Sequence, residues 1–384
     1  VSDYKAILSG QSWNAMPNLA NPRQPVFLTY TFNLLTPWNR EQLRDVDKQA
    51  AREALTMWGD ASGITFFETK DPLADIRFNQ DYEWNTITAE AQFPSIWKEG
   101  QELSRSAIGG EVTLNEYFQD KLDRNWNYKL YVFLHEIGHA LGLKHPFHQM
   151  AHNNQTLRSE LDHVNHTVMA YNGASESMAG VRLGALDLLA IQSLYGAPWQ
   201  DGKQVSAWSW NPKKEVLKQI GGPRDETIFG VAADDYLEGK KGRDKLYGFH
   251  GDDTLSGGLG SDILMGGGGI DEFRFDAALS KNNVDRILDF EEFETIQLSR
   301  KVFTGLTKGS LKDQNFSLET STPLIPNDDF YDDEYPLTET TRIIYKQPTG
   351  QIFYDPDGSG PLGRTLFARL DSRNYLEAGD FSIV

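Results

Sequence analysis

The sequence predicts two halves of different class: an α+β N-terminal half built around one buried helix, and an all-β C-terminal half. Three observations predict this. Up to residue 198, short apolar runs alternate between strand-like and helix-like spacing. Within that half, Tyr131–Pro146 (YVFLHEIGHALGLKHP) is apolar apart from three histidines, a glutamate and a lysine. From Gly230 the chain repeats every nine residues. The expected division is therefore 1–198 and 199–384, the second half comprising a connector over 199–229, repeats over 230–274 and a β-rich tail over 275–384.

Phe27–Phe32 reads as an early strand with Leu28, Tyr30 and Phe32 on one face. Leu43, Val46, Ala50, Ala54 and Trp58 then recur at helical spacing, and Asn39 with Gln42 offers a start resembling a capping box. Ile64–Glu68 and Ala74–Phe78 read as short strands and Ser106–Asn115 as a further one. The central helix is expected to begin near Trp126–Tyr128, because Tyr131, Val132, Phe133, Leu134, Ile137, Ala140 and Leu141 leave almost no polar face. Leu183–Tyr195 reads as another helix, closed by Gly196 and Pro198. Asp187 within it either braces a neighbouring turn or faces solvent. The connector, with Trp199, Trp208 and Trp210, should bury some of its aromatics. In the tail, Thr295–Leu298, Arg342–Tyr345 and Gln351–Tyr354 read as strands, and the acidic run Asp328–Glu334 as a solvated loop.

On a helix, residues four apart lie one above the other, about 6 Å apart along the axis, so His135 and His139 can point their imidazoles at one ion. Glu136 then stands beside the ion as a general base toward a metal-activated water, which is the zinc chemistry of HExxH. HExxH alone recurs by chance. The extension to HExxHxxGxxH fixes two further positions. His145 would lie about 9 Å further along a continuing helix, so the helix must stop. Gly142 can take the left-handed conformation that ends it and returns His145 to the ion. Three ligands leave a fourth position open, as a catalytic zinc requires. His148, His152, His163 and His166 follow no ligand spacing; a second metal and substrate contacts stay open for them, with exposure the favoured reading.

The net charge of −18 argues against nucleic acid or an anionic membrane surface as partner and suits calcium. No window reaches the apolar length of a membrane span, and the absence of cysteine excludes disulfides and thiol chemistry. Val1 is not a start methionine, which leaves room for a removed N-terminal segment such as a propeptide.

The repeats are GVAADDYLE, GKKGRDKLY, GFHGDDTLS, GGLGSDILM and GGGGIDEFR. Position one is glycine and position six aspartate in all five, position eight is apolar in all five, and position four is glycine in all but the first, where Ala233 stands. A flexible linker has no such phase. Glycines permit turns, the aspartates offer hard oxygen ligands for calcium, and the apolar residue packs inward from a short strand.

HEIGHALGLKHP resembles the long zinc signature of the metzincin metalloproteases, and the proline after the third histidine resembles the serralysin branch. That resemblance implies a mixed twisted sheet around the zinc helix, a methionine turn at Met169 in TVMAYN, and Tyr171 as a displaceable fifth zinc ligand that stabilises the oxyanion. In that family an edge strand near Ser106–Asn115 would pair with an extended substrate. The repeats resemble the parallel β-roll of RTX proteins, with two nonapeptides to a turn. By that resemblance Asp235, Asp253 and Asp271 line one edge and Asp244 and Asp262 the other as calcium ligands, with a β-sandwich tail beyond. The terminal AGDFSIV resembles an uncleaved type I secretion signal. The implied whole is a secreted, extracellular, monomeric bacterial zinc endopeptidase, folded by calcium and acting on proteins or peptides, with the type I secretion machinery and a small periplasmic inhibitor as possible partners. A calcium-dependent binding or adhesion module with a non-catalytic zinc site is the competing class. A zinc hydrolase of non-peptide bonds is a third.

Overall fold

A computed structural model describes residues 3–13, 24–33, 40–82, 87–94, 96–99, 102–105, 109–319, 337–358 and 362–384. The acidic run Asp328–Glu334 and the cap candidate Asn39 lie outside them. The four α-helices of the described residues all fall in the N-terminal half: α1 (Asp45–Asp60), α2 (Gln119–Asp123), α3 (Trp126–Ala140) and α4 (Ala185–Tyr195).

In that half a sheet runs in the order Ile64–Glu68, Val26–Thr31, Ile76–Asp81, Glu111–Asn115, Ala89–Ala91, with Arg40–Glu41 also paired to Ile76–Asp81. The first four are mutually parallel; Ala89–Ala91 closes the edge antiparallel, with Ala89 opposite Leu114. The family resemblance implies a substrate-side edge strand near Ser106–Asn115. In the structure Glu111–Asn115 is interior to the sheet, Ser106–Ile108 lie outside the described residues, and the edge is Ala89–Ala91. A strand of three residues carries too little pattern to be seen in advance.

Helix α1 begins at Asp45, later than the spacing suggests, behind Arg44, which makes no side-chain cap. Its buried stripe of Ala50, Ala51, Ala54, Leu55 and Trp58 faces α3, and the Trp58 indole donates to the Leu134 carbonyl at 3.1 Å. The two helices share one buried ion cluster. Lys129 reaches Asp47 at 2.6 Å and Asp123 at 2.7 Å, and the Gln119 amide donates to Asp47 at 3.0 Å. Helix α3 starts where Asn125 accepts from the N–H groups of Asn127 (2.8 Å) and Tyr128 (3.2 Å), so its entry is capped.

The described residues of the C-terminal half form two facing eight-stranded sheets. Successive nonapeptides alternate between them, so that Leu237 pairs with Leu255 in one sheet and Leu246 with Leu264 in the other, all parallel. The position-eight residues Leu237, Leu246, Leu255, Leu264 and Phe273 are fully buried between the sheets. The stretch 199–229 is not a bare connector. Ala207–Asn211, Val216–Ile220 and Thr227–Phe229 are strands that begin both sheets, and Trp199 is 69% exposed rather than buried. Trp208 and Trp210 instead cover strand residues of the first half: Trp208 lies 4.9 Å from Phe27, and Trp210 stacks on Phe67 at 4.8 Å. The tail supplies further strands, and Phe381–Ile383 pairs parallel with Thr295–Leu298.

Candidate metal centre

Helix α3 stops as its glycine requires. Gly142 sits at φ +100°, its N–H donates to the His139 carbonyl at 2.9 Å, and the Leu143 N–H reaches back to the Gly138 carbonyl at 2.8 Å. The reversed chain is then clamped by the N-terminal segment. Ser9 N–H donates to the Gly142 carbonyl at 2.9 Å, Lys144 N–H to the Ile7 carbonyl at 2.7 Å, and the Trp13 indole to the Ala140 carbonyl at 2.8 Å. A Cβ on Gly142 would run into the Gln11 carbonyl oxygen. Gly142→Ala should therefore cost about 2–4 kcal/mol, from strain and clash together. A lowered thermal midpoint of the zinc-loaded chain is the reading that checks it.

The reversal brings His135, His139 and His145 together, the only three ligating side chains among the described residues whose ligand atoms all lie within 4.8 Å of one another. Their Nε2 atoms meet closely: His145 stands 3.0 Å from His135 and 3.0 Å from His139. The other ring nitrogens fix the tautomers. His135 Nδ1 lies 2.7 Å from the Val168 carbonyl and His139 Nδ1 2.7 Å from the Leu143 carbonyl, and since a carbonyl only accepts, both Nδ1 atoms carry the proton. Two lone pairs thus converge on the His145 nitrogen, which can donate to at most one of them. A cation resolves the repulsion, and nitrogens at Zn–N distances of about 2.0–2.1 Å in a tetrahedron stand about 3.3 Å apart, close to what is seen. Burial, and then the neighbouring imidazoles, lower all three to about 3, which favours the neutral ligating form. The residues present fit zinc.

Glu136 follows His135 on the helix and is 7% exposed. Burial, followed by the charge of Glu90 on the edge strand, pushes its carboxyl up to about 8; a divalent cation nearby would draw it down again. The Tyr171 hydroxyl lies 2.7 Å from His145 Nε2. Burial and the Glu136 charge hold its phenol up at about 12.

Met169 is fully buried under the cluster, and its sulfur packs where Gly138 has no side chain: a Cβ at Gly138 would stand 2.6 Å from it. Sequence reading passes over Gly138, although its place inside HExxH is visible. Of the two possibilities for Asp187, the fold takes the brace. Fully buried, it accepts from the Thr167 hydroxyl (2.6 Å) and from the N–H groups of Val168 (2.8 Å) and Gly184 (2.7 Å), pinning the turn whose Val168 carbonyl orients His135. Among the remaining histidines, His148 and His152 are exposed as expected, whereas His163 and His166 are half-buried, the His163 ring packing against Gly173.

The repeat aspartates form two buried columns. Asp235, Asp253 and Asp271 stack in one, each backbone N–H donating to the next carboxylate (2.7 and 2.9 Å); Asp244 and Asp262 stack in the other at 2.8 Å. Asp244, Asp253, Asp262 and Asp271 each keep one buried carboxylate oxygen without a hydrogen-bond partner. Buried carboxylate oxygens without a donor are hard ligand atoms of the kind calcium takes. Both columns run past the repeats. Asp262 N–H donates to Asp285 at 3.0 Å, and Glu272 pairs with Thr295, placing Glu294 beside Asp271; Asp285 and Glu294 are both buried. The sequence period misses these two because the step here is 23 residues where the repeats step by 18.

Three histidines gathered on a buried helix above a methionine turn, joined to a two-sheet roll with stacked aspartates, make up the architecture of a metzincin fold followed by an RTX-type roll. Comparison with known proteins agrees. Residues 23–196 match the Matrixin family, and residues 220–248, 229–264 and 250–273 match the RTX calcium-binding nonapeptide repeat. These matches support a serralysin-type metzincin with RTX repeats. It is 32% identical to a serralysin of Proteus mirabilis over 202 residues, 45% of this chain and 40% of that protein. It is also 32% identical to serralysin B of Dickeya chrysanthemi over 174 residues (40% and 34%) and 26% identical to the metalloprotease AprA of Pseudomonas entomophila over 251 residues (58% and 49%). The matches thus span less than half the length of each of these relatives.

Proposed function

We propose that this chain is a zinc-dependent endopeptidase whose C-terminal half folds on calcium. The observation that carries the reading is the convergence of three tautomer-fixed imidazoles with a buried carboxyl beside them on one helix. His135, His139 and His145 would hold the zinc, with the Tyr171 hydroxyl as a displaceable fifth ligand. A bound zinc would supply Lewis acidity toward water and the scissile carbonyl. Glu136 takes the proton of the attacking water and returns it to the leaving amine. Tyr171, protonated at neutral pH, donates to the oxyanion. The edge of Ala89–Ala91 offers main-chain groups to an extended peptide, a mode that tolerates many sequences and suits protein substrates. Asp235, Asp244, Asp253, Asp262 and Asp271, continued by Asp285 and Glu294, would hold calcium.

Export fits the same chain. It has no cysteine to protect, no helix among the described residues is long and apolar enough to cross a membrane, and a half that needs calcium would fold outside a calcium-poor cytoplasm. We read the route as type I secretion. The enzymatic reading is tested by digesting casein with the calcium-loaded chain before and after a zinc-selective chelator. Activity should vanish with zinc removal and return with added zinc; digestion that ignores the chelator refutes it.

A further inference from the structure

Phe147 is a large apolar side chain held in solvent at the rim of the histidine cluster. It is 51% exposed, and Tyr171 beside it is 55% exposed. Their rings lie 5.6 Å apart, and the Phe147 ring stacks on His145 at 5.2 Å with 11° between planes. The backbone beneath is firmly anchored. His148 N–H closes a turn onto the His145 carbonyl at 3.1 Å, Pro146 restricts the second position of that turn, and Leu157 N–H donates to the Pro146 carbonyl at 2.8 Å. From below, the buried Lys144 ammonium donates to the His148 carbonyl and, at 2.8 Å, to that of Gln155. Phe147 is thus presented by a fixed turn rather than stranded on a loose loop. Phe93 meets another ring of the cluster, His139, edge to face at 5.5 Å.

We propose that Phe147, together with Tyr171, forms an apolar wall of the substrate cleft and sets a preference for a large apolar or aromatic substrate side chain next to the reacting bond. The proposal rests on the peptidase reading. A substrate ring or branched aliphatic laid against these two half-exposed aromatics removes apolar surface from water on both partners, and ring-on-ring packing adds to the gain. A carboxylate at the same place loses hydration without a counter-charge on either ring. Phe147 itself offers neither a proton nor a ligand atom, so its removal changes which peptides are held rather than how a bond is broken.

The test uses the full chain loaded with zinc and calcium and carrying Glu136→Ala, so that peptides bind without being cut. It is titrated calorimetrically, with and without Phe147→Ala, against otherwise identical peptides bearing Phe, Leu, Ala or Glu at each position in turn. At one position Phe and Leu should bind about tenfold tighter than Ala or Glu, and Phe147→Ala should bring them within about twofold of each other with zinc content unchanged. Phe147→Lys should raise affinity for the Glu peptide at that same position. A preference that survives Phe147→Ala overturns the proposal, and so does an equal loss for every peptide. Casein digestion by the unsubstituted chain separates the two failures: digestion without any position preference defeats this proposal alone, while no digestion and no peptide binding defeats the peptidase reading with it.

Discussion

Glu136→Ala is expected to leave a folded, zinc-loaded chain whose kcat/KM on a peptide substrate falls by about 10²- to 10⁴-fold, the usual range for losing a general base. The fold has no stake in this carboxyl. Among the described residues no hydrogen bond or ion pair ties this carboxyl to the rest of the chain. Truncation therefore does not remove a stabilising charge, and any fall in rate belongs to chemistry. The zinc should stay, because the three Nε2 atoms and the carbonyls that orient their rings are untouched. Circular dichroism and metal analysis of the variant establish those two conditions. Turnover near that of the unsubstituted chain would remove Glu136 from the mechanism.

Calcium withdrawal should unfold the C-terminal half, and more completely at pH 8 than at pH 5. Burial, then neighbouring carboxylates, raise the stacked acids: Asp271 to about 6, Asp244 to about 7 and Glu294 to about 9, with Asp253 and Asp285 well above the usual carboxylate range. A group whose folded pKa is raised stabilises the fold in its protonated form. That contribution is fully present below the unfolded value near 4 and is lost as pH rises through the folded values, here about 6 to 9. Without a cation the columns therefore become self-repelling across neutral pH. Calcium acts in the opposite sense, because it binds the ionised form. At one hundred times its Kd each site adds about 2.7 kcal/mol, so a few sites together would supply an amount comparable to the whole stability of a typical domain. Far-ultraviolet circular dichroism in chelator at the two pH values, followed by calcium addition, reads the effect. A spectrum indifferent to calcium at pH 8 would contradict it.

The reach of sequence reading follows the reach of the contacts. The histidine spacing of α3, the glycine that ends it and the nine-residue phase of the roll are legible because each rests on neighbours a few residues apart, where helix and turn geometry is fixed locally. Gly142 was foreseeable as a stop; that its missing side chain also makes room for the Gln11 carbonyl was not. The edge strand Ala89–Ala91 is too short to carry a pattern, and Ala207–Asn211 within 199–229 is exposed along most of its length.

The sequence by itself thus determined the helix that gathers the imidazoles, the reversal that adds the third, and the periodic aspartates with their buried apolar partners. Only the tertiary structure decided that Asp187 braces the methionine turn from 19 and 20 residues away, that the N-terminal segment clamps the third-histidine loop, and that Asp285 and Glu294 extend the acidic columns across a 23-residue step. The physical reason is the same in each case. These contacts join segments whose approach is set by sheet register and core packing, and a polar side chain gives no sign in the sequence of whether that approach will leave it in water or hand it a buried partner.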